Sequence, residues 1–254
     1  MIPYLEWRVI QAGPVVLQVW GLFAAFGVIL GYWYAMRQAR KLGLDASKFD
    51  TLVFRIVVWS FIGARLGHIL FYEPGYYFDN PAEILKVWRG GLSSFGGFLG
   101  AAIAFFFTLR RKTLPILPSA DALVKALPLA LGCGRIGCFL IHDHPGTLAH
   151  GAGKWLAVNY PDGARFDLGL LLGVFDFVLF GFFILLARKQ RPDGYFFMLF
   201  MTVYGPARFA LDFLRETDAR YFGLTPAQYG SLALFALGLH LYASRIHRPR
   251  LRNS

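Results

Sequence analysis

Residues 168–187 read LGLLLGVFDFVLFGFFILLA, an apolar run broken by a single charge, Asp176. A helix rises 1.5 Å per residue, so a run of this length matches the roughly 30 Å hydrocarbon core of a bilayer. Asp167 stands before it and Arg188 and Lys189 follow it. The segment reads as a transmembrane helix. Six further stretches approach the same length: Val15–Met36, Leu52–Phe71, Gly91–Leu109, Ala122–Ile141, Tyr195–Leu214 and Ala227–Ala243. The expected fold class is therefore all-α: a polytopic membrane protein of about seven transmembrane helices, with residues 1–254 forming one integral-membrane domain. Two long exterior loops interrupt it, 72–90 and 143–167. The second is rich in Gly, His and aromatics and has no helical period, which reads as a functional or unstructured loop. The first apolar run is long enough to span, so it reads as an uncleaved helix.

Composition agrees with that class. Apolar residues make up 56% of the chain and charged residues 16%, against about 25% charged in soluble domains. The net charge of +11 is no nucleic-acid signal, because the basic residues alternate between loops. Arg37, Arg40, Lys41 and Lys48, then Arg110, Arg111 and Lys112, then Arg188, Lys189 and Arg191, then Arg245, Arg248, Arg250 and Arg252 fall on one side. Only Arg8, Lys86, Arg89, Lys154, Arg165, Arg215 and Arg220 fall on the other. Basic loops stay in the cytoplasm, which predicts a periplasmic N-terminus and a cytoplasmic C-terminus in a bacterial inner membrane. Cys133 and Cys138 do not share a helix face, so neither a disulfide nor a metal site is expected from them.

Basic residues inside apolar segments each cost about 2.5–3.5 kcal/mol at a helix centre on insertion scales. Arg55 and Lys125 lie near cytoplasmic ends and are expected to snorkel. Arg65, Arg135 and Arg208 lie deeper. Arg65, His68 and Tyr72 share a helix face by spacing; Arg135, Cys138, Phe139 and His142 repeat the pattern; Tyr204, Arg208, Asp212 and Arg215 form a third stripe. Asp212 and Asp176 are the main acids available, and Arg208–Asp212 is an obvious i,i+4 pair. Three deep guanidiniums exceed the acids, and a guanidinium fork matches a phosphate. The pattern points to a buried site for an anionic phosphate, with a phospholipid headgroup the phosphate that a membrane supplies. GGLSSFGGFLG (Gly90–Gly100) brings Ser93 and Ser94 to a helix N-terminus, where hydroxyls and backbone N–H groups face a ligand. Close helix packing explains the same glycines equally well. GCGRIGCF (Gly132–Phe139) opens room beside Arg135.

These motifs carry a resemblance. GARLGHILFY around Arg65, WRGGLSSFGGFLG, GCGRIGCFLIHDHPG around Arg135 and YGPARFALDFLRE with Tyr204 and Arg208 resemble, in order and over most of the chain, the phosphatidylglycerol–prolipoprotein diacylglyceryl transferase family. Asp212 stands where that family has a glutamate. Phe95 stands where it has a histidine proposed as base, and Cys138 where it has an asparagine. Ile141-His142-Asp143-His144 replaces an Asn-Gly-Glu segment, Trp20 stands for a tyrosine, and Ala164-Arg165-Phe166-Asp167 matches its His-Pro-Ser-Gln segment poorly. The resemblance implies transfer of a diacylglyceryl group from phosphatidylglycerol to the lipobox cysteine of a prolipoprotein signal peptide, releasing glycerol-1-phosphate, with no cofactor and no metal. It implies Arg135 and Arg208 as phosphate ligands, Arg65 as a supporting charge and Asp212 as the residue that orients Arg208. The base is then expected to be His142 or His144, oriented by Asp143, with Arg65, Tyr72, Ser93, Ser94, Tyr204 and Asp212 toward the substrate. The competing expectations are the same fold with another acceptor or transferred group, and a non-catalytic phospholipid-binding or transport protein.

Overall fold

In the computed structural model each of the seven apolar stretches is helical: α1 (Val19–Lys41), α2 (Ala46–Phe71), α4 (Ser94–Leu109), α5 (Ile116–Ile141), α6 (Leu168–Leu186), α7 (Tyr195–Asp212) and α8 (Pro226–Ile246), with a short α3 (Pro74–Asp79) between them. The structure describes residues 1–13, 15–86, 90–110, 113–216 and 220–246. Arg89, Arg111, Lys112, Arg248, Arg250 and Arg252 lie outside these residues, as do the side chains of Ser94, Phe95 and Arg245. Among the described residues, four helices, α1, α2, α5 and α6, have the length and hydropathy that crossing a membrane requires, and a fifth apolar stretch, Gly96–Leu109 of α4, is shorter. The chain is a mostly helical, multi-pass membrane protein.

The expected helical membrane fold holds, with two small sheets added to it. Val9–Ala12 (β1) and Val15–Gln18 (β2) pair antiparallel, so the first apolar run begins as strand and turns helical only at Val19. Gly13, at φ +62°, supplies the left-handed turn residue. The 143–167 segment is also built. Pro145–Leu148 (β3), Val158–Tyr160 (β4) and Gly163–Asp167 (β5) form an antiparallel sheet in the order β3-β5-β4, with a 3₁₀ helix at Gly151–Leu156. The 72–90 segment carries α3 and a 3₁₀ helix, Pro81–Leu85.

Two units make up the chain: Met1–Gln38 with Ala120–Ser254, and Ala39–Ser119. In the larger, glycines set the helix crossings. A β-carbon on Gly27 would meet the Ala130 carbonyl and Cys133, and one on Gly137 would lie 3.0 Å from the Trp20 backbone. These glycines let α1 approach α5 closely. Asp121 of α5 accepts from the backbone N–H groups of Gly194 and Phe197, at 2.6 and 2.8 Å, and so caps α7. Lys125 does not snorkel. It is buried, with its ammonium 4.3 Å from the Phe196 ring centroid. In the smaller unit α2 and α4 pack glycine against glycine, Gly63 and Gly67 against Gly96 and Gly100.

Candidate active site

Helix α5 ends in a way that fixes one histidine. His142 adopts φ +49°. Its N–H donates to the Phe139 carbonyl and the Asp143 N–H to the Cys138 carbonyl. That pair of bonds is the Schellman ending, whose left-handed position usually holds glycine. A residue with a β-carbon there costs about 1–2 kcal/mol. The imidazole is almost wholly buried, and its Nδ1 lies 2.9 Å from Asp167 Oδ2. The Tyr160 hydroxyl donates to the same oxygen at 2.7 Å. Asp167 Oδ1 accepts from the Leu170 N–H at 2.9 Å, capping α6. Tyr4 lies flat on the imidazole, centroids 4.2 Å apart and planes at 16°, and Phe139 meets it edge-on. Nε2 is buried without a hydrogen-bond partner, a further cost of about 1–3 kcal/mol. Burial and the bond to Asp167 push the Tyr160 hydroxyl well above its ordinary range.

A cluster of guanidiniums lies in the same unit. Arg208 Nη2 sits 3.2 Å from Asp212 Oδ1 and Arg215 Nε 3.7 Å from the same atom. Asp212 is fully buried and also accepts from the Thr225 hydroxyl. Arg208 Nη1 is buried with no hydrogen-bond partner. Asp176 is fully buried with neither oxygen hydrogen-bonded, within electrostatic reach of Arg135 and Arg208. Tyr204, stacked on Phe200 at 4.8 Å, lies within electrostatic reach of Arg135 and Arg208. Gly173 of α6 faces the Arg135 stem, since a β-carbon there would lie 3.1 Å from Arg135 Cβ. His144 belongs to this neighbourhood. Burial, then the charge of Arg215, push its imidazole down to about 4; Asp143 pulls the other way, and Arg135 and Arg208 add to the fall. Asp143 is half exposed, with Oδ2 3.5 Å from His144 Nε2. The structure thus brings together Arg135, Arg208, Asp212, Tyr204, Asp143 and His144, and gives His142 a different carboxylate, Asp167 in place of Asp143.

Arg65 lies in the smaller unit, and its guanidinium is engaged by backbone. Nε donates to Ile84 O at 2.9 Å, Nη1 to Gly90 O at 2.6 Å and Gly91 O at 3.0 Å, and Nη2 to Glu83 O at 2.6 Å. Its plane lies over Tyr77, 5.0 Å from the ring centroid. Arg65 therefore clamps the backbone at Glu83, Ile84, Gly90 and Gly91. Tyr72 is exposed and stacks on His68 at 5.5 Å. Both line a cleft of about 770 Å³ with Arg65, Tyr76, Tyr77 and Gly91. Ser93 is the cap of α4: its hydroxyl accepts from the Gly96 N–H at 3.3 Å and its own N–H donates to Ala64 O.

A family model for prolipoprotein diacylglyceryl transferase matches residues 8–244. The phosphatidylglycerol–prolipoprotein diacylglyceryl transferase of Nitrosomonas europaea is 34% identical over 253 residues, covering 94% of this chain and 89% of that one. That of Janthinobacterium sp. is 34% identical, covering 91% of each, and that of Nitratidesulfovibrio vulgaris is 33% identical, covering 94% of each. The chain belongs to the prolipoprotein diacylglyceryl transferase family.

Within this family member, three residues of the site escaped the sequence reading: Asp167, Tyr160 and Tyr4. Asp167 had a local signal, an Asp directly before the apolar run that starts at Leu168, which is the pattern of a helix cap. Tyr4 and Tyr160 had none, because the N-terminal segment reaches His142 only through backbone pairing of Ile2 with Ala157 and Asn159 and of Trp7 with Leu140.

Proposed function

We propose that this chain transfers a diacylglyceryl group from phosphatidylglycerol to the cysteine thiol of a prolipoprotein lipobox, releasing glycerol-1-phosphate. It works as one integral-membrane domain in a bacterial inner membrane, with seven spans, a periplasmic N-terminus and a cytoplasmic C-terminus. The observation that carries this reading is the grouping of Arg135 and Arg208 in one buried neighbourhood, with Arg208 Nη1 left without a partner. The leaving phosphate gains charge as its bond to carbon breaks. Fixed guanidiniums stabilise that charge without reorganising. Asp212 orients Arg208, and Tyr204 lies beside the two arginines. The thiol must lose its proton, because the thiolate is the nucleophile; His142 or His144 takes it, with Asp143 beside His144. In the smaller unit, Arg65, Tyr72, Ser93 and Ser94 are the residues assigned to substrate.

The test is a comparison of Arg135→Ala and Arg208→Ala with the unaltered protein for transfer from phosphatidylglycerol. Loss of one preorganised donor costs about 10²–10³-fold in turnover. Variants that keep full turnover contradict the phosphate assignment. A second reading keeps the phosphate site and changes the acceptor. It is favoured by Phe95 and Cys138, which stand where the family resemblance expects a histidine and an asparagine. Glycerophosphate release without a lipidated thiol peptide selects it.

A further inference from the structure

We infer that His142 is the proton acceptor for the incoming thiol, and that Asp167 and Tyr160 are positioning residues that fix its tautomer. The inference rests on the transfer reading above and chooses between its two histidines. Asp167 Oδ2 lies 2.9 Å from Nδ1. In the neutral ring, Nδ1 then carries the hydrogen and donates it to the carboxylate, leaving the lone pair on Nε2. The carboxylate cannot swing, since Tyr160 holds one oxygen and the Leu170 N–H the other. Tyr4 covers one ring face and Phe139 packs edge-on. The Nε2 lone pair lies in the ring plane, out of the stack with Tyr4.

A structural role does not account for the imidazole. Asp167 would keep a partner on each oxygen without it. Glycine would occupy the left-handed position without strain, and no buried nitrogen would be left orphaned. Two costs meet at one residue, as happens where function holds a strained group in place. The charged and titratable groups near the ring are Asp167 and Tyr160 from the sheet, and Tyr4 and Glu6 from the N-terminal segment. At His144, burial and then the charges of Arg215, Arg135 and Arg208 oppose protonation, while Asp143 favours it.

In the step, the thiol proton passes to His142 Nε2 as sulfur attacks the glyceryl carbon bonded to the phosphate oxygen. The C–S bond forms and the C–O bond breaks. The electron pair goes to the phosphate oxygen held by Arg135 and Arg208, and the proton later leaves to the glycerophosphate or to water.

The experiment assays the full-length protein with phosphatidylglycerol vesicles and a lipobox peptide. His142→Gly is expected to unfold no earlier than the unaltered protein, yet to lose about 10²–10³-fold in kcat with KM for phosphatidylglycerol unchanged. Added imidazole should restore part of the rate. His142→Asn, whose side chain also tolerates the left-handed position, gives the same loss and serves if the glycine variant does not fold. Asp167→Asn keeps the helix cap but replaces the carboxylate that accepts from Nδ1, so it lowers kcat with KM for phosphatidylglycerol unchanged. An active protein whose His142→Gly and His142→Asn variants keep full kcat, or whose Asp167→Asn variant keeps full kcat, overturns the inference alone. An inactive unaltered protein, shown to be folded, overturns both the inference and the transfer reading beneath it.

Discussion

Asp212 reaches back one turn of α7 to Arg208, its Oδ1 3.2 Å from Nη2, and the same oxygen lies 3.7 Å from Arg215 Nε. One buried carboxylate therefore serves two guanidiniums. Its removal leaves both charges buried without their shared counter-ion.

Asp212→Ala is expected to destabilise the protein by about 3–5 kcal/mol, the usual cost of removing one partner of a buried pair. Thermal unfolding in detergent checks it. Asp212→Glu keeps the charge and should recover most of the loss. Equal midpoints for the alanine variant and the unaltered protein would show that Asp212 does not hold the arginines.

Arg65 makes a contrasting prediction. Four N–H···O=C bonds tie it to Glu83, Ile84, Gly90 and Gly91. Lysine cannot reproduce the fork. Arg65→Lys and Arg65→Ala should each loosen that backbone by about 2–4 kcal/mol, from several lost bonds at 0.5–1.5 kcal/mol each. Faster amide exchange at Ser93, whose N–H bonds Ala64 O, reports the loosening. A lysine variant with unchanged exchange contradicts the clamp.

A third prediction concerns Gly67. A β-carbon there would lie 2.9 Å from Gly96 Cα and 3.3 Å from Ser93 Cβ, and the backbone of α4 cannot yield as a flexible side chain can. Gly67→Ala should cost about 1–3 kcal/mol by overpacking, seen as a lower unfolding midpoint. Gly134, with no atom within 4 Å of its would-be β-carbon, is the tolerant control.

Stability should also depend on pH through His144. Its folded-state value lies near 4, below the usual 6.5. Between those values the unfolded chain binds more protons than the folded one. His144 therefore contributes stability that is present above about pH 6.5 and lost as pH falls toward 4. Unfolding midpoints measured from pH 7 to pH 4 should fall more steeply for the unaltered protein than for His144→Gln. Parallel curves contradict the placement of His144 among the arginines.

The helices were legible because each is a long apolar run, and the Arg208–Asp212 pair because i,i+4 spacing puts two side chains together on any helix. The hairpin at Val9–Gln18 was not, since Val15, Val16 and Leu17 are as apolar as the helix that follows and extend its run. The 145–167 sheet was hidden by strands of three to five residues, too short for alternation to register. The clamp on Arg65 was invisible for a different reason: its partners are backbone carbonyls, which every residue carries. The His142–Asp167 pair joins residues 25 positions apart through a left-handed turn that favours glycine, so no helical spacing announces it.

Transfer of diacylglyceryl to a cysteine thiol at the Arg135–Arg208 site is open to direct test. The most direct measurement incubates the purified protein with phosphatidylglycerol vesicles and a lipobox peptide, and reads peptide mass and glycerophosphate release together, beside Arg135→Ala. A thioether-lipidated peptide and an equal amount of glycerophosphate are expected, both lost in the variant. Folded protein that yields neither, or a lipidated peptide that persists undiminished in Arg135→Ala, would contradict transfer at this site.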